Sequence, residues 1–185
     1  MTTPAPVLLV PGLHNSGPEH WQSIWGAKHP EYYRVQQADW ETPHRSDWVR
    51  TLHASICSIG KGPVVLAGHS LACATIAHYA AKHADCEGRV AAAFLVAPSD
   101  AEAPTYPPGT TGFTPMPLQK LPFRSVVVAS TDDPFVTLER AEFFARSWGS
   151  RLITIANAGH INTSSGHGPW PEGEAWLEQL REIRT

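Results

Sequence analysis

The chain of 185 residues is short of charge, of cysteine and of long apolar runs, and each shortage excludes something. Charged residues make up only 17%, the formal net charge is −3, and no basic run or stripe occurs. Nucleic acid is therefore not expected as a partner. The three cysteines (Cys57, Cys73 and Cys86) are odd in number and lack metal-ligand spacing. They read as buried or idle thiols in a reducing compartment, not as a disulfide framework. Ten histidines include no pair at helix-face spacing with a carboxylate partner, so neither a metal nor another cofactor is expected. The apolar run that begins at Val7 stops at Pro11, and no basic residue precedes it. That is too short for a signal peptide or a membrane span, and it leads to the expectation of a cytoplasmic protein with no membrane partner. Hydrophobic residues make up 42%, and no linker or internal repeat divides the chain. One globular domain over residues 1–185, as a monomer or small homo-oligomer, is expected to bury roughly 70% of its unfolded surface.

What is present is an alternation of short apolar runs with helical patterns. Strands are predicted over residues 7–10, 33–38, 64–67, 90–96, 125–129 and 151–155. They are continuously apolar, as strands of a parallel sheet covered on both faces are. Val49, Leu52, Ile56 and Ile59 recur at helical spacing, as do Leu138, Ala141, Ala145 and Trp148. Trp176, Leu177, Leu180 and Ile183 do so more loosely, and Pro134 and Pro171 stand where first-turn prolines open helices. The fold class is α/β: a doubly wound, mostly parallel six-stranded sheet flanked by helices. Residues 98–122 break the rhythm with seven of the 17 prolines. They read either as an ordered loop over the sheet edge forming a pocket wall, or as a surface excursion.

The stretch "PVVLAGHSLACAT" places Ser70 between a strand and a helix. Gly-x-Ser-x-Gly at such a junction holds a nucleophile on a sharp elbow, and here the last position is Ala72. The looser form with Gly or Ala at the end occurs by chance in about one chain in ten of this length, so position carries the argument. A serine hydroxyl also needs a base, and the base needs an orienting acid. In doubly wound hydrolases the order is Ser, acid, His. "NAGHINTSSGHGPW" follows the last strand and holds His160 and His167; His160 lies closer to the strand end and is the favoured base. His69, His78 and His83 read as surface or core histidines. "STDDPFV" offers Asp132 and Asp133. Asp133 is favoured as acid, with the N-cap of the following helix as its competing role. The oxyanion donors expected are the backbone N–H of Leu71 and, after the turn at Gly12, that of Leu13.

These stretches extend to "PGLHNSGPEHWQSIW", "ADWETPHRSDWV", "GHSLAC", "ASTDDPFV" and "AGHINTSSGHGPWPEG". Together they resemble the α/β-hydrolases, and in particular the bacterial branch of the small serine hydrolases related to retinoblastoma-binding protein nine. The resemblance implies Ser70, Asp133 and His160 as nucleophile, acid and base, and a minimal sheet with no separate lid domain. Ala72 is ordinary in that family. His14, Asn15, Ser16, Trp21 and Trp40 fall in its motif loops as candidate pocket residues. Trp25 and Trp48 read as core, Asn162 as a brace of the base loop, and Asp39 as a loop cap.

The function expected is a serine hydrolase that cleaves a small ester, thioester or amide through an acyl-enzyme, carboxylesterase-like. Two alternatives stand beside it: a peptidase-like amide hydrolase, and a non-catalytic binding protein on a hydrolase scaffold.

Overall fold

Side chains that alternate between two apolar faces organise the molecule. In the computed structural model, which describes residues 4–83 and 88–182, the elements run β1 (Val7–Val10), α1 (Trp21–Lys28), β2 (Tyr33–Arg34), α2 (Arg45–Ser58), β3 (Val64–His69), α3 (Leu71–Lys82), β4 (Val90–Val96), β5 (Arg124–Ser130), α4 (Leu138–Trp148), β6 (Arg151–Ile155) and α5 (Pro171–Glu182). Every strand pair is parallel, in the order β2-β1-β3-β4-β5-β6. Leu8, Val10, Val64, Leu66, Ala93, Leu95, Val127 and Ala129 face a core completed by α2, α3 and α4. Their neighbours Val7, Leu9, Val65, Ala67, Ala92, Phe94, Val126 and Val128 face a second core completed by α1 and α5. A strand buried on both sides has no polar face to display, which is why its sequence is a run and not an alternation.

Three sequence expectations are revised. The second strand spans Tyr33–Arg34 and not residues 33–38. It is an edge strand that pairs with β1 alone, and β1 itself ends at Val10. Pro134 does not open a helix: α4 starts at Leu138, capped by the Thr137 hydroxyl, and Pro134 stands in the turn before it. Pro171 does open α5, where its missing N–H leaves no helical bond unmade. Ile183 of the C-terminal stripe, like Cys86, lies outside the described residues.

The third concerns residues 98–122. They join β4 to β5, neighbours inside the sheet, so the loop does not cover a sheet edge. Its apolar side chains do the work of the missing crossover helix. Phe113, Met116 and Leu121 are buried in the α2–α4 core. His78 Nε2 donates to the Phe113 carbonyl at 2.9 Å, and Trp148 Nε1 to that of Pro117 at 2.8 Å. Arg140 on α4 holds Asp100 through two bonds, at 2.7 and 3.0 Å, and Glu102 at 2.7 Å. Among the described residues, no helix is long and apolar enough to cross a membrane.

Candidate active site

In parallel α/β sheets, loops at the carboxyl ends of the strands gather functional side chains. Here β1, β3, β4, β5 and β6 each deliver one loop to a single place. β3 ends at His69 and α3 starts at Leu71, leaving Ser70 alone at the bend with φ 58° and ψ −124°. A non-glycine residue holds such a backbone only when its surroundings over-determine it. The Ser70 N–H donates to the Val96 carbonyl and the Ser70 carbonyl accepts from Cys73, both at 3.0 Å. A Cβ on Gly68 would stand 3.6 Å from that of Ala72, an ordinary contact, so alanine at the last elbow position is accommodated. A Cβ on Gly68 would meet the flexible end of Ile76 at 2.7 Å, whereas one on Gly12 would meet backbone, the His69 carbonyl at 2.6 Å, and the Ser70 Cβ at 2.9 Å.

That close approach brings the loop after β1 against the elbow. His14 gives its N–H to the Trp40 carbonyl and Asn15 gives its own to Gly12. The N–H of Leu13 has no such backbone acceptor among the described residues. As first residue of α3, Leu71 has no intrahelical acceptor for its N–H. The Leu71 nitrogen lies 3.2 Å from the position of a Gly12 Cβ, which brings the loop that carries Leu13 against the start of α3.

His160 Nε2 lies 2.9 Å from Ser70 Oγ, and His160 Nδ1 lies 2.9 Å from both carboxylate oxygens of Asp133. A carboxylate only accepts, so Nδ1 carries the imidazole proton and Nε2 presents its lone pair to the serine hydroxyl. All three residues are buried. Asp133 also accepts the Phe135 N–H at 2.8 Å, which fixes its carboxylate; the N-cap role it competed for belongs to Thr137. Asp132 points elsewhere, accepting from the Ser130 hydroxyl at 2.7 Å and the Gly159 N–H at 2.8 Å. Those two bonds hold its carboxyl below the usual range. His167 is apart from the serine and bonds Ser165 at 3.2 Å. Asn162 caps the one-turn helix Thr163–Ser165 and so closes the base loop, while Asp39 caps the turn at Glu41 and Thr42.

A cavity of about 280 Å³ opens over Ser70. Of the five candidate pocket residues, His14 and Asn15 line it; Ser16, Trp21 and Trp40 do not. Trp21 is 0% exposed and turns into the α1–α5 core, where its Nε1 donates to the Ile161 carbonyl at 3.0 Å. Ser16 is buried with its hydroxyl on Gln22 Oε1 at 2.6 Å. Trp40 packs edge-on against Trp48. Trp25 and Trp48 are core residues, as expected.

Further lining residues were not singled out individually from the sequence. Phe135 sets its ring edge-on to His160, 4.6 Å between centroids. Ser99, Tyr106 and Pro107 come from the proline-rich loop, which is thus a pocket wall. His69 is no bystander: it lines the cavity and its Nε2 donates to the His160 carbonyl at 2.8 Å. Burial, with His160 and His20 close by, keeps the His69 imidazole neutral, its pKa well below the ordinary value. His20 stands edge-on to His69 and accepts the Gln22 N–H on Nδ1. Burial, reinforced by Arg34 and His160, lowers the His20 pKa to about 3. Ser99 had a findable signal, since it follows a strand end, and Phe135 sits two residues past the acid. Nothing local marked His20.

A model of the serine hydrolase family matches residues 7–179. Among solved structures, a YdeN-like hydrolase from Pectobacterium atrosepticum is 32% identical, with a TM-score of 0.84 over 97% of this chain and 92% of that one. The YdeN gene product of Bacillus subtilis is 17% identical, with a TM-score of 0.74 over 95% and 98%. A thermophilic esterase from Thermogutta terrifontis is 18% identical, with a TM-score of 0.69 over 98% and 92%. No curated protein matches the chain. With its six-stranded parallel sheet, flanking helices and family match over nearly its whole length, the chain belongs to the serine hydrolases of the α/β-hydrolase superfamily.

Proposed function

We propose that the protein is a carboxylesterase-like hydrolase in which Ser70, His160 and Asp133 form a catalytic triad. The observation that carries this reading is the unbroken line from Ser70 Oγ through both nitrogens of His160 to the Asp133 carboxylate, each step 2.9 Å. Ser70 Oγ attacks the ester carbonyl carbon while His160 Nε2 takes its proton. Negative charge collects on the carbonyl oxygen, where the Leu13 and Leu71 amides receive it; each such donor is worth roughly 3 kcal/mol of barrier. Asp133 keeps the proton on Nδ1 and stabilises the imidazolium. Collapse breaks the C–O bond, and His160 returns its proton to the departing alcohol. Water, deprotonated by the same nitrogen, then releases the acid and restores Ser70.

The size of the cavity supports a small-molecule ester over a peptide. At about 280 Å³ it lies at the lower limit of ligand pockets, which run from roughly 300 Å³. The esterase from Thermogutta terrifontis shares only the fold at 18% identity, so the ester reading rests on the cavity. A fluorophosphonate probe tests it. The wild type is expected to be labelled and Ser70→Ala is not. An unlabelled wild type, or equal labelling of both, overturns the enzyme reading and favours a binding protein on a hydrolase scaffold.

A further inference from the structure

The triad and the oxyanion donors leave one part of the cavity without a task. Ser99, just past the end of β4, is 1% exposed yet lines the cavity, and Tyr106 folds back beside it. Their hydroxyl oxygens are 3.3 Å apart, and neither makes another side-chain hydrogen bond among the described residues. Two hydroxyls carry two protons, and the bond between them uses one. The second proton has no acceptor among the described residues, and lone pairs stay open on the oxygens. A buried hydroxyl left short of a partner is unfavourable unless something else fills the vacancy. Burial raises the pKa of the Tyr106 phenol, so it stays protonated and able to donate.

The rest of the lining decides the charge of what fits there. No lysine, arginine, aspartate or glutamate lines the cavity. The imidazoles of His20 and His69 stay neutral for the reasons given above. The other two imidazoles of the lining, His14 and His160, are already held by the carboxylates of Glu41 and Asp133, so a charged substituent would lose its water for no free counter-ion, which is costly in a partly closed site. An uncharged group that accepts one hydrogen bond and offers another meets its complement at the two hydroxyls.

Resting on the esterase reading, we propose that Ser99 and Tyr106 form a specificity subsite for an uncharged hydroxyl or carbonyl group. The substrate class that follows is short-chain esters carrying such a group on the acyl or the alcohol part, in preference to plain alkyl esters and dicarboxylate half-esters.

Two ester series test this. In the acyl series, 4-nitrophenyl 3-hydroxybutyrate is compared with 4-nitrophenyl butyrate and with the charged 4-nitrophenyl succinate. In the alcohol series, the butyrate ester of ethylene glycol is compared with ethyl butyrate by acid release. The hydroxylated member of one series is expected to exceed its alkyl counterpart about tenfold or more in kcat/KM, because a site built to bond a hydroxyl discriminates against its absence. The series that shows it identifies the part of the ester seated there. Ser99→Ala and Tyr106→Phe, each a loss of one oxygen, are both expected to bring that ratio to within about twofold of one. Succinate is expected to be cleaved more slowly than butyrate. Ratios near one in both series, or a preference that survives both substitutions, overturn the subsite; succinate as fast as butyrate overturns its neutrality. Alkyl esters turned over without preference refute the subsite alone. No turnover of any ester, together with no fluorophosphonate labelling, refutes the reading beneath it.

Discussion

Two adjacent carboxylates, Asp132 and Asp133, show how much one residue position decides. Both follow β5, yet one grips the imidazole through both oxygens and the other the Gly159 amide. Replacing Asp133 by Asn puts an N–H donor where Nδ1–H needs an acceptor and favours the wrong tautomer. Asp133→Asn is expected to lower kcat for a nitrophenyl ester by roughly 10⁴-fold. Asp132→Asn keeps an acceptor oxygen for Gly159 and is expected to stay within about tenfold of wild type. Steady-state kinetics on both variants checks this, and the reverse order would exchange the two roles. Ala72 belongs at this scale too: its methyl group is only an ordinary contact away from the space above Gly68, whereas Gly12 has backbone within 2.6 Å. The glycine closed off by backbone is thus in the first loop, not at the end of the elbow motif.

At the scale of elements, the loops are held together by the start of α1. Gln22 Nε2 donates to the carbonyls of Val10 and Ala67, both at 3.0 Å, tying the ends of β1 and β3. Its neighbours Trp21 and His20 reach the base loop, the first directly at Ile161 and the second against His69, which holds His160. Three consecutive residues therefore set the spacing of the loops after β1, β3 and β6. Gln22→Met fills the same volume but strands two buried carbonyls. It is expected to destabilise the protein by on the order of 2 kcal/mol and to reduce kcat more than it changes KM. Urea denaturation and ester kinetics on the same sample measure both effects. Nothing in the segment "PEHWQ" shows this role in sequence. Gln22's partners are 12 and 45 residues away, and no local pattern records which backbone carbonyls a side-chain amide will meet.

For the whole molecule, the two cores bury neutral imidazoles beside the site, and that makes stability depend on pH. His20 is held at about 3 in the folded protein against about 6.5 in the unfolded chain, and His69 is displaced in the same direction. Between those values the unfolded chain binds the extra protons, so stability rises with pH and is lost as pH falls below about 6.5. The bonded carboxylates Asp132 and Glu174, held below their ordinary values, add their own loss only near and below about pH 4. The denaturation midpoint is expected to fall between pH 7 and pH 4.5, with a shallower slope in His20→Asn, which keeps an acceptor for the Gln22 N–H. A flat midpoint over that window would mean that these imidazoles titrate normally.

The sequence by itself determined the parallel sheet, because strands buried on both faces must be apolar throughout. It also determined that Ser70, the two aspartates and the two histidines follow strand ends in that order, after β3, β5 and β6, because the elbow and the turn residues that follow each strand are local features. Only the tertiary structure decided which of two aspartates and which of two histidines meet. Those contacts span 27 and 90 residues and depend on which strand ends lie side by side. The tertiary structure alone turned Trp21 and Ser16 inward and brought Ser99, Tyr106, His20 and Phe135 to the cavity. A loop's composition limits what it can offer, whereas the direction of each side chain follows from the neighbours the completed sheet places against it.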